Sequence, residues 1–237
     1  MSSLSGAVRA LTVEQGLQAE QDLLGAVCRG ERQAALLFWR PVDQALVMPR
    51  RMSRLEGFES ASAAVAATGW PVLLRETGGE PVPQSPATVN LALVYVAPRS
   101  EGDQGRIEQA YQRLCQPLCD TLQQWGGAAS TGEIEGAFCD GRYNVNLNGR
   151  KLVGTAQRWR QGLQGKRPVV LVHGAMLLEN QREAMVAAVN LFNERCQLPQ
   201  RCLADSHIAL HEWLAQAPVL EHLASAYGQV LAAIPDD

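Results

Sequence analysis

The chain has 237 residues, 46 % of them apolar, and a net charge of −3 with both signs interspersed. That is enough apolar material for one large domain or two small ones, and it lacks the basic stripe of a nucleic-acid surface. No run of about 18 apolar residues suggests a membrane span, residues 1–9 lack the basic-then-apolar order of a secretory signal, and the six cysteines include no Cys-x-x-Cys pair, so they read as reduced cytoplasmic thiols.

A first helix is predicted after Thr12, with Val13, Leu17, Leu24 and Val27 on its apolar face. Short apolar runs at 34–39, 45–48, 72–74 and 88–95 read as strands. The Gly- and Pro-rich stretch 78–86 reads as a loop inside a domain, and the polar stretch 99–105 separates a strand from a helix. From 107 to 125 a helical face runs through Ile107, Ala110, Tyr111, Leu114, Leu118, Leu122 and Trp125, and Pro117 is expected to kink it or to start a second segment.

Residues 143–148 alternate strictly, with Tyr143, Val145 and Leu147 on one side and Asn144, Asn146 and Asn148 on the other. Asn148-Gly149 is a two-residue hairpin signal, pairing Leu147 with Arg150 and Asn146 with Lys151. The return strand is then expected to carry Lys151, Val153, Thr155 and Gln157 on one face. A short buried strand at 169–172 ends at His173, and helices are predicted over 177–192 and over 208–231 with a break near Pro218. Clustered strands flanked by long helices predict an α+β fold with a mixed or antiparallel sheet, in a single domain over 1–237.

Three segments carry chemistry. In Arg75-Glu76-Thr77-Gly78-Gly79-Glu80, paired glycines after a strand let backbone N–H groups approach a carboxylate or phosphate, and Arg75 adds charge-assisted bonds. Cys139 lies in a loop with Gly136, Asp140 and Gly141, where a thiol near a cation can carry an acyl group. Lys151, on the polar face of the hairpin beside Gly154, Thr155 and Ala156, presents a fixed positive charge to a carbonyl or phosphate with room for a ligand. Elsewhere, Cys115 and Cys119 share a helix face and read as core. His207 and His211 are placed four apart on a helix, but with Glu212 they lack the His-Glu-x-x-His order, so no metal site is predicted.

Together these segments resemble the lipoate–protein ligase and octanoyltransferase branch of the biotin/lipoate protein ligase superfamily. The resemblance is carried by Arg75 to Gly79, by Gly149 to Gln157 and by Val172-His173-Gly174, in the family's order. It implies the catalytic-domain fold of that superfamily, with a sheet enclosing an acyl slot and no C-terminal accessory domain. Arg75, Thr77, Gly78, Gly79, Asn90, Gly154, Thr155, Ala156 and His173 would bind the acyl group or its adenylate, Lys151 would contact the activated carbonyl, and His173 would support the lysine hairpin. Phe138-Cys139-Asp140-Gly141-Arg142-Tyr143-Asn144 is similar to the segment of the cysteine-using transferases, which implies transfer of an octanoyl or lipoyl group to a carrier lysine through a Cys139 thioester. The implied partner is a lipoyl domain or a glycine-cleavage H-type carrier protein, with no nucleic acid and no membrane.

The chain departs from the ATP-using ligases at Glu80, where they have a third glycine, at Gln84-Ser85, where they have a histidine-aspartate pair, and at Pro49, where a strand-end glycine is common. Lipoate or octanoate then enters as a substrate group with no tightly bound cofactor. ATP and magnesium belong to the alternative, a ligase forming a lipoyl-adenylate. A second alternative is a non-catalytic homologue that binds an acyl ligand or a carrier.

Overall fold

Thr12 caps helix α1 (Val13–Cys28): its hydroxyl accepts from the Gln15 N–H, and the Gln15 side chain accepts from the Thr12 N–H. The computed structural model describes residues 8–102, 105–163, 167–214 and 219–235. A seven-stranded sheet runs in the order β1 (Arg9–Leu11), β2 (Ala34–Pro41), β6 (Thr88–Val96), β10 (Pro168–Leu177), β9 (Arg150–Gln161), β8 (Val145–Leu147), β7 (Ala129–Thr131). All of its pairings are antiparallel except β1 with β2. A smaller sheet places β3 (Ala45–Pro49) between β4 (Val72–Arg75), which is parallel to it, and β5 (Val82–Gln84), which is antiparallel. The fold is therefore α+β with mixed sheets, as the sequence predicts.

Strand alternation sorts the side chains of the large sheet into two faces. Leu91, Leu93, Tyr95, Val170 and Val172 turn to the back, where they pack with helices α3 (Arg106–Gln124) and α6 (Val219–Ala232) through Leu114, Leu118, Leu223 and Tyr227. Leu37, Trp39, Ala92 and Val94 turn to the front and meet Leu24 and Val27 of α1 and Val47 of β3. The far side of the small sheet forms a separate core with α2 (Phe58–Ala67) and α4 (Arg182–Arg195).

Several elements differ from the sequence reading. Pro117 starts no second segment: α3 is one helix and Pro117 lies buried inside it. Proline in a helix interior costs about 3 kcal/mol. Burial of Leu114, Leu118 and Leu122, at about 1.5–3 kcal/mol each, outweighs that cost. Strand β10 continues through His173 and Gly174 to Leu177, because both of its neighbours, β6 and β9, supply hydrogen bonds along that stretch; α4 accordingly begins at Arg182. The 78–86 loop contains β5. The C-terminal helical stretch is α5 (Leu210–Trp213) and α6, and the break at Pro218 lies outside the described residues. His207 precedes α5 and so shares no helix with His211. Among the described residues no helix is long and apolar enough to cross a membrane.

The hairpin forms in the predicted register, with Asn148 and Gly149 both at positive φ (51° and 75°) as a type I′ turn requires. Beyond Lys151, however, the pairing slips: Asn146 faces Lys151, but Val145 faces Val153, so Leu152 is an extra residue. Such a bulge shifts the alternation by one. Lys151 therefore leaves the row of Val153, Thr155 and Gln157 and joins that of Gly154; a Cβ on Gly154 would stand 3.3 Å from Lys151 Nζ.

Helix α1 lies against the sheet where Gly16 meets Trp39. A Cβ at Gly16 would come within 2.3–2.5 Å of the indole carbons. Gly16→Ala is predicted to destabilise the fold by about 1–3 kcal/mol through overpacking, read as a lower urea midpoint. An unchanged midpoint contradicts this packing.

Candidate active site

A cleft lies between the front of the large sheet and the near face of the small one. Its floor follows from the register: Gly154, Ala175, Asn90 and Trp39 face one another in a row across β9, β10, β6 and β2. Three strand spacings make that row about 14 Å long. Small side chains open its β9 end and the indole closes its β2 end. Ala156 and His173 form the next row, Val47, Val82 and Arg75 form the roof, and Leu17 and Glu20 of α1 close the side. The cavity is narrow, about 40 Å³.

The walls are held by buried hydrogen bonds. Trp39 Nε1 donates to one oxygen of the buried Glu20 carboxylate at 2.9 Å, and His173 Nδ1 lies 2.7 Å from the other. His173 Nε2 lies 3.1 Å from the Thr77 hydroxyl. His173 thus ties α1 to the glycine loop. Its expected support of the lysine hairpin is limited to backbone pairing with Ala156, because the side chain is fully committed to Glu20 and Thr77. In the floor, the Asn90 and Gln84 amides exchange reciprocal bonds of 2.8 and 3.0 Å, and Thr88 donates to Gln84 Oε1.

Arg75 ends β4 and staples the glycine loop. Nη1 donates to the Val47 carbonyl at 2.9 Å, while Nη2 donates to the carbonyls of Gly78 and Glu80 at 2.7 and 2.8 Å. The loop so formed passes over Cys139. The Glu80 N–H donates to Cys139 Sγ at 3.2 Å; burial pulls the Arg75 pKa down, and the nearby Cys139 opposes that. Gly79 has φ 96°, and a Cβ there would lie 2.8 Å from the sulfur, so only glycine allows this approach.

Cys139 itself has φ 47°, a left-handed conformation that costs a non-glycine residue about 1–3 kcal/mol and persists only when its surroundings enforce it. Lys151 supplies that enforcement. Its Nζ donates to the carbonyls of Phe138 at 2.5 Å and Cys139 at 2.7 Å, and the residue is 3 % exposed. Burial pushes the Lys151 pKa down, while Cys139, Asp140, Cys202 and Glu80 push it up. Asp140 Oδ1 accepts from the N–H groups of Ile134 and Gly141 and from the Asn144 amide, fixing the next turn of the loop.

The structure thus gathers Cys139, Arg75, Asn90, Gly154, Thr155, Ala156 and His173 around one cleft, with Gly79 pressed against the Cys139 sulfur. Lys151 stands behind the Cys139 loop rather than on the cleft wall. Gly78 acts through its carbonyl, Thr77 through His173, and Thr155 donates its hydroxyl to the Tyr143 carbonyl. Sequence reasoning missed Glu20, Trp39, Gln84 and His207. Glu20 did carry a signal, since it falls on the apolar stripe of Val13, Leu17, Leu24 and Val27, where a carboxylate must find partners. His207 carried none: its imidazole faces the Cys139 loop only through tertiary packing.

The fold is that of the lipoate ligases. A crystal structure of lipoate-protein ligase A bound with ATP superposes with a TM-score of 0.67 over 95 % of this chain and 85 % of that one, at 16 % identity. The family model for the lipoyl protein ligase A/B catalytic domain matches residues 12–228, and the chain belongs to that family. An uncharacterised protein of Cupriavidus necator is 38 % identical over 74 % of this chain and 72 % of its own length. An octanoyl-[GcvH]:protein N-octanoyltransferase of Kyrpidia tusciae is 34 % identical over 60 % of this chain, and the match spans 50 % of that enzyme.

Burial, and next the charge of Lys151, lower the His207 pKa from 6.5 to about 4. The unfolded chain therefore binds a proton across that window that the folded chain refuses, so stability must fall as pH drops from about 6.5 to 4, by roughly 3 kcal/mol. Urea midpoints at pH 7 and pH 4.5 should show a smaller loss for His207→Gln than for the wild type. Equal losses in the two proteins contradict a buried neutral imidazole.

Proposed function

We propose that this protein moves an octanoyl or lipoyl group from one carrier protein to a lysine of another through a thioester on Cys139. The observation that carries the reading is the setting of the thiol. Cys139 lies at the small-residue end of the cleft, which Arg75 also lines, its sulfur hydrogen-bonded by the Glu80 N–H, and a buried lysine grips the carbonyl of the same residue. The names of the octanoyltransferase relatives support it.

In this mechanism the acyl chain lies along the row of Gly154, Ala175, Asn90 and Trp39, and the narrow cleft favours a slim unbranched chain. The Cys139 sulfur attacks the acyl carbonyl. The carbon–nitrogen bond to the donor lysine breaks, and the thiol's proton ends on the departing amine. The acceptor lysine then attacks the thioester, the carbon–sulfur bond breaks, and the amine's proton returns to the thiol. A lysine ammonium has three donors. Two of those of Lys151 hold loop carbonyls, so from behind the loop the ammonium acts on the tetrahedral oxyanion through its charge and through the backbone it fixes, not through a direct hydrogen bond. The partners are an H-type carrier of the kind named for the relatives, or a lipoyl domain, in the cytoplasm.

The reading needs no nucleotide and no tightly bound cofactor. Glu80 occupies the place of a third glycine, and a carboxylate about 4 Å from a phosphate oxygen is opposed by up to about 4 kcal/mol at an effective dielectric of about 20. Gln84 and Ser85 are already committed, to Asn90 and Thr88 and to Gln181 and the Ala87 N–H. Calorimetry with ATP and magnesium is therefore expected to show no micromolar binding; such binding would favour the ligase.

The mechanism is tested by intact mass after incubation with an octanoylated carrier protein. A thioester adduct is expected on the wild type and not on Cys139→Ser, whereas Cys28, Cys115, Cys119, Cys196 and Cys202 should each be replaceable. Lys151→Ala should slow acylation on the order of a hundredfold or more. Full transfer activity in Cys139→Ser would sink the mechanism.

A further inference from the structure

We propose that His207 is a positioning residue for the Cys139 thiol, its neutral imidazole fixing the backbone on which the nucleophile stands. The proposal rests on Cys139 as the acyl carrier and adds a residue from outside the segments that suggested the function. His207 is 1 % exposed, and both ring nitrogens are bonded within the chain. The Phe138 N–H donates to Nε2 at 3.1 Å, and Nδ1 lies 3.0 Å from the Leu203 carbonyl. An N–H can only donate and a carbonyl can only accept. The ring must therefore carry its proton on Nδ1 and leave Nε2 bare.

The imidazole stacks on the Phe138 ring, with centroids 4.1 Å apart and an interplanar angle of 23°. Its own segment is laced to the cysteine loop, Leu203 N–H to the Gly136 carbonyl at 2.8 Å and Ser206 Oγ to the Glu135 carbonyl at 2.7 Å. It is laced to the lysine strand as well, since Ile208 N–H donates to the Lys151 carbonyl at 2.9 Å. One segment thus sets both halves of the site.

The consequence lies in the backbone of Phe138 and Cys139. Lys151 Nζ draws on both of their carbonyls from one side, and His207 takes the Phe138 N–H. These contacts oppose the strain of Cys139 at φ 47° and decide where its sulfur points. An imidazolium would present two donors and leave the Phe138 N–H without an acceptor. Burial and the neighbouring Lys151 charge keep the ring neutral at pH 7.

The test compares His207→Phe, which keeps an aromatic ring against Phe138 but loses the acceptor, with His207→Gln, which restores an acceptor and a donor without the ring. Two rates are read on the full chain: transfer from an octanoylated carrier, resolved into kcat and KM, and iodoacetamide alkylation of Cys139 located by peptide mass. His207→Phe should lower kcat and the alkylation rate on the order of ten- to a hundredfold with KM for the carrier unchanged, and His207→Gln should recover most of both. Wild-type rates in His207→Phe, or equal losses in the two variants, overturn the proposal. Nitrogen-15 NMR of the wild type, with histidine labelled, needs no variant. A ring protonated on Nδ1 alone at pH 7 is expected, and a proton on Nε2 overturns the proposal. The alkylation and NMR readings hold even if Cys139 carries no acyl group, so failure of the transferase reading and failure of this one are told apart.

Discussion

Taking a lysine ammonium out of water costs several kcal/mol unless acceptors surround it, and in this chain two of the acceptors of Lys151 are the carbonyls of Phe138 and Cys139. The charge and the loop thereby depend on each other. The ammonium tolerates burial because the loop turns its carbonyls inward, and Cys139 tolerates a left-handed backbone because the ammonium holds it there. The glycine loop follows from that placement. Gly79 can be only glycine where the sulfur presses on it, and Arg75 draws the carbonyls on either side of Gly79 into the turn that aims the Glu80 N–H at the thiol.

The cleft is built on a different economy, a floor of small side chains. Gly154, Ala175 and Ala156 leave a trough on the sheet that larger residues would fill, and the small sheet roofs it with Val47 and Val82. Its far end is closed by a polar chain, Trp39–Glu20–His173–Thr77, in which each buried group satisfies the next. Such a chain couples α1 to the glycine loop, so the wall of the cleft and the setting of the thiol belong to one hydrogen-bonded body.

What was legible in the sequence was local. The start of the first helix after Thr12, the Asn148-Gly149 turn and the pairing of Asn146 with Lys151 depend on neighbours a few residues away and stand in the structure, whereas the alternation expected over 143–148 is a strand only from Val145 to Leu147, Tyr143 lying in the turn before it. The three segments that carry chemistry were also readable, because their chemistry resides in residue type: paired glycines, a thiol in a polar loop and a lysine on a hairpin.

Tertiary structure decided what periodicity cannot encode. The bulge at Leu152 sends Lys151 to the face of Gly154, since Leu152 and Val153 both enter the rear core. Pro117 stays helical because the sheet beneath rewards the helix more than the ring disrupts it, a balance invisible along the chain. Glu20 and His207 acquire roles only when α1 and the segment before α5 fold over residues far away in sequence. The amino-acid order determined the hairpin, the loop and the reactive groups through short-range backbone preference and side-chain chemistry. Which face each group meets, and which buried partner holds it, was fixed by long-range packing, because a buried polar group is committed only by what the whole fold brings beside it.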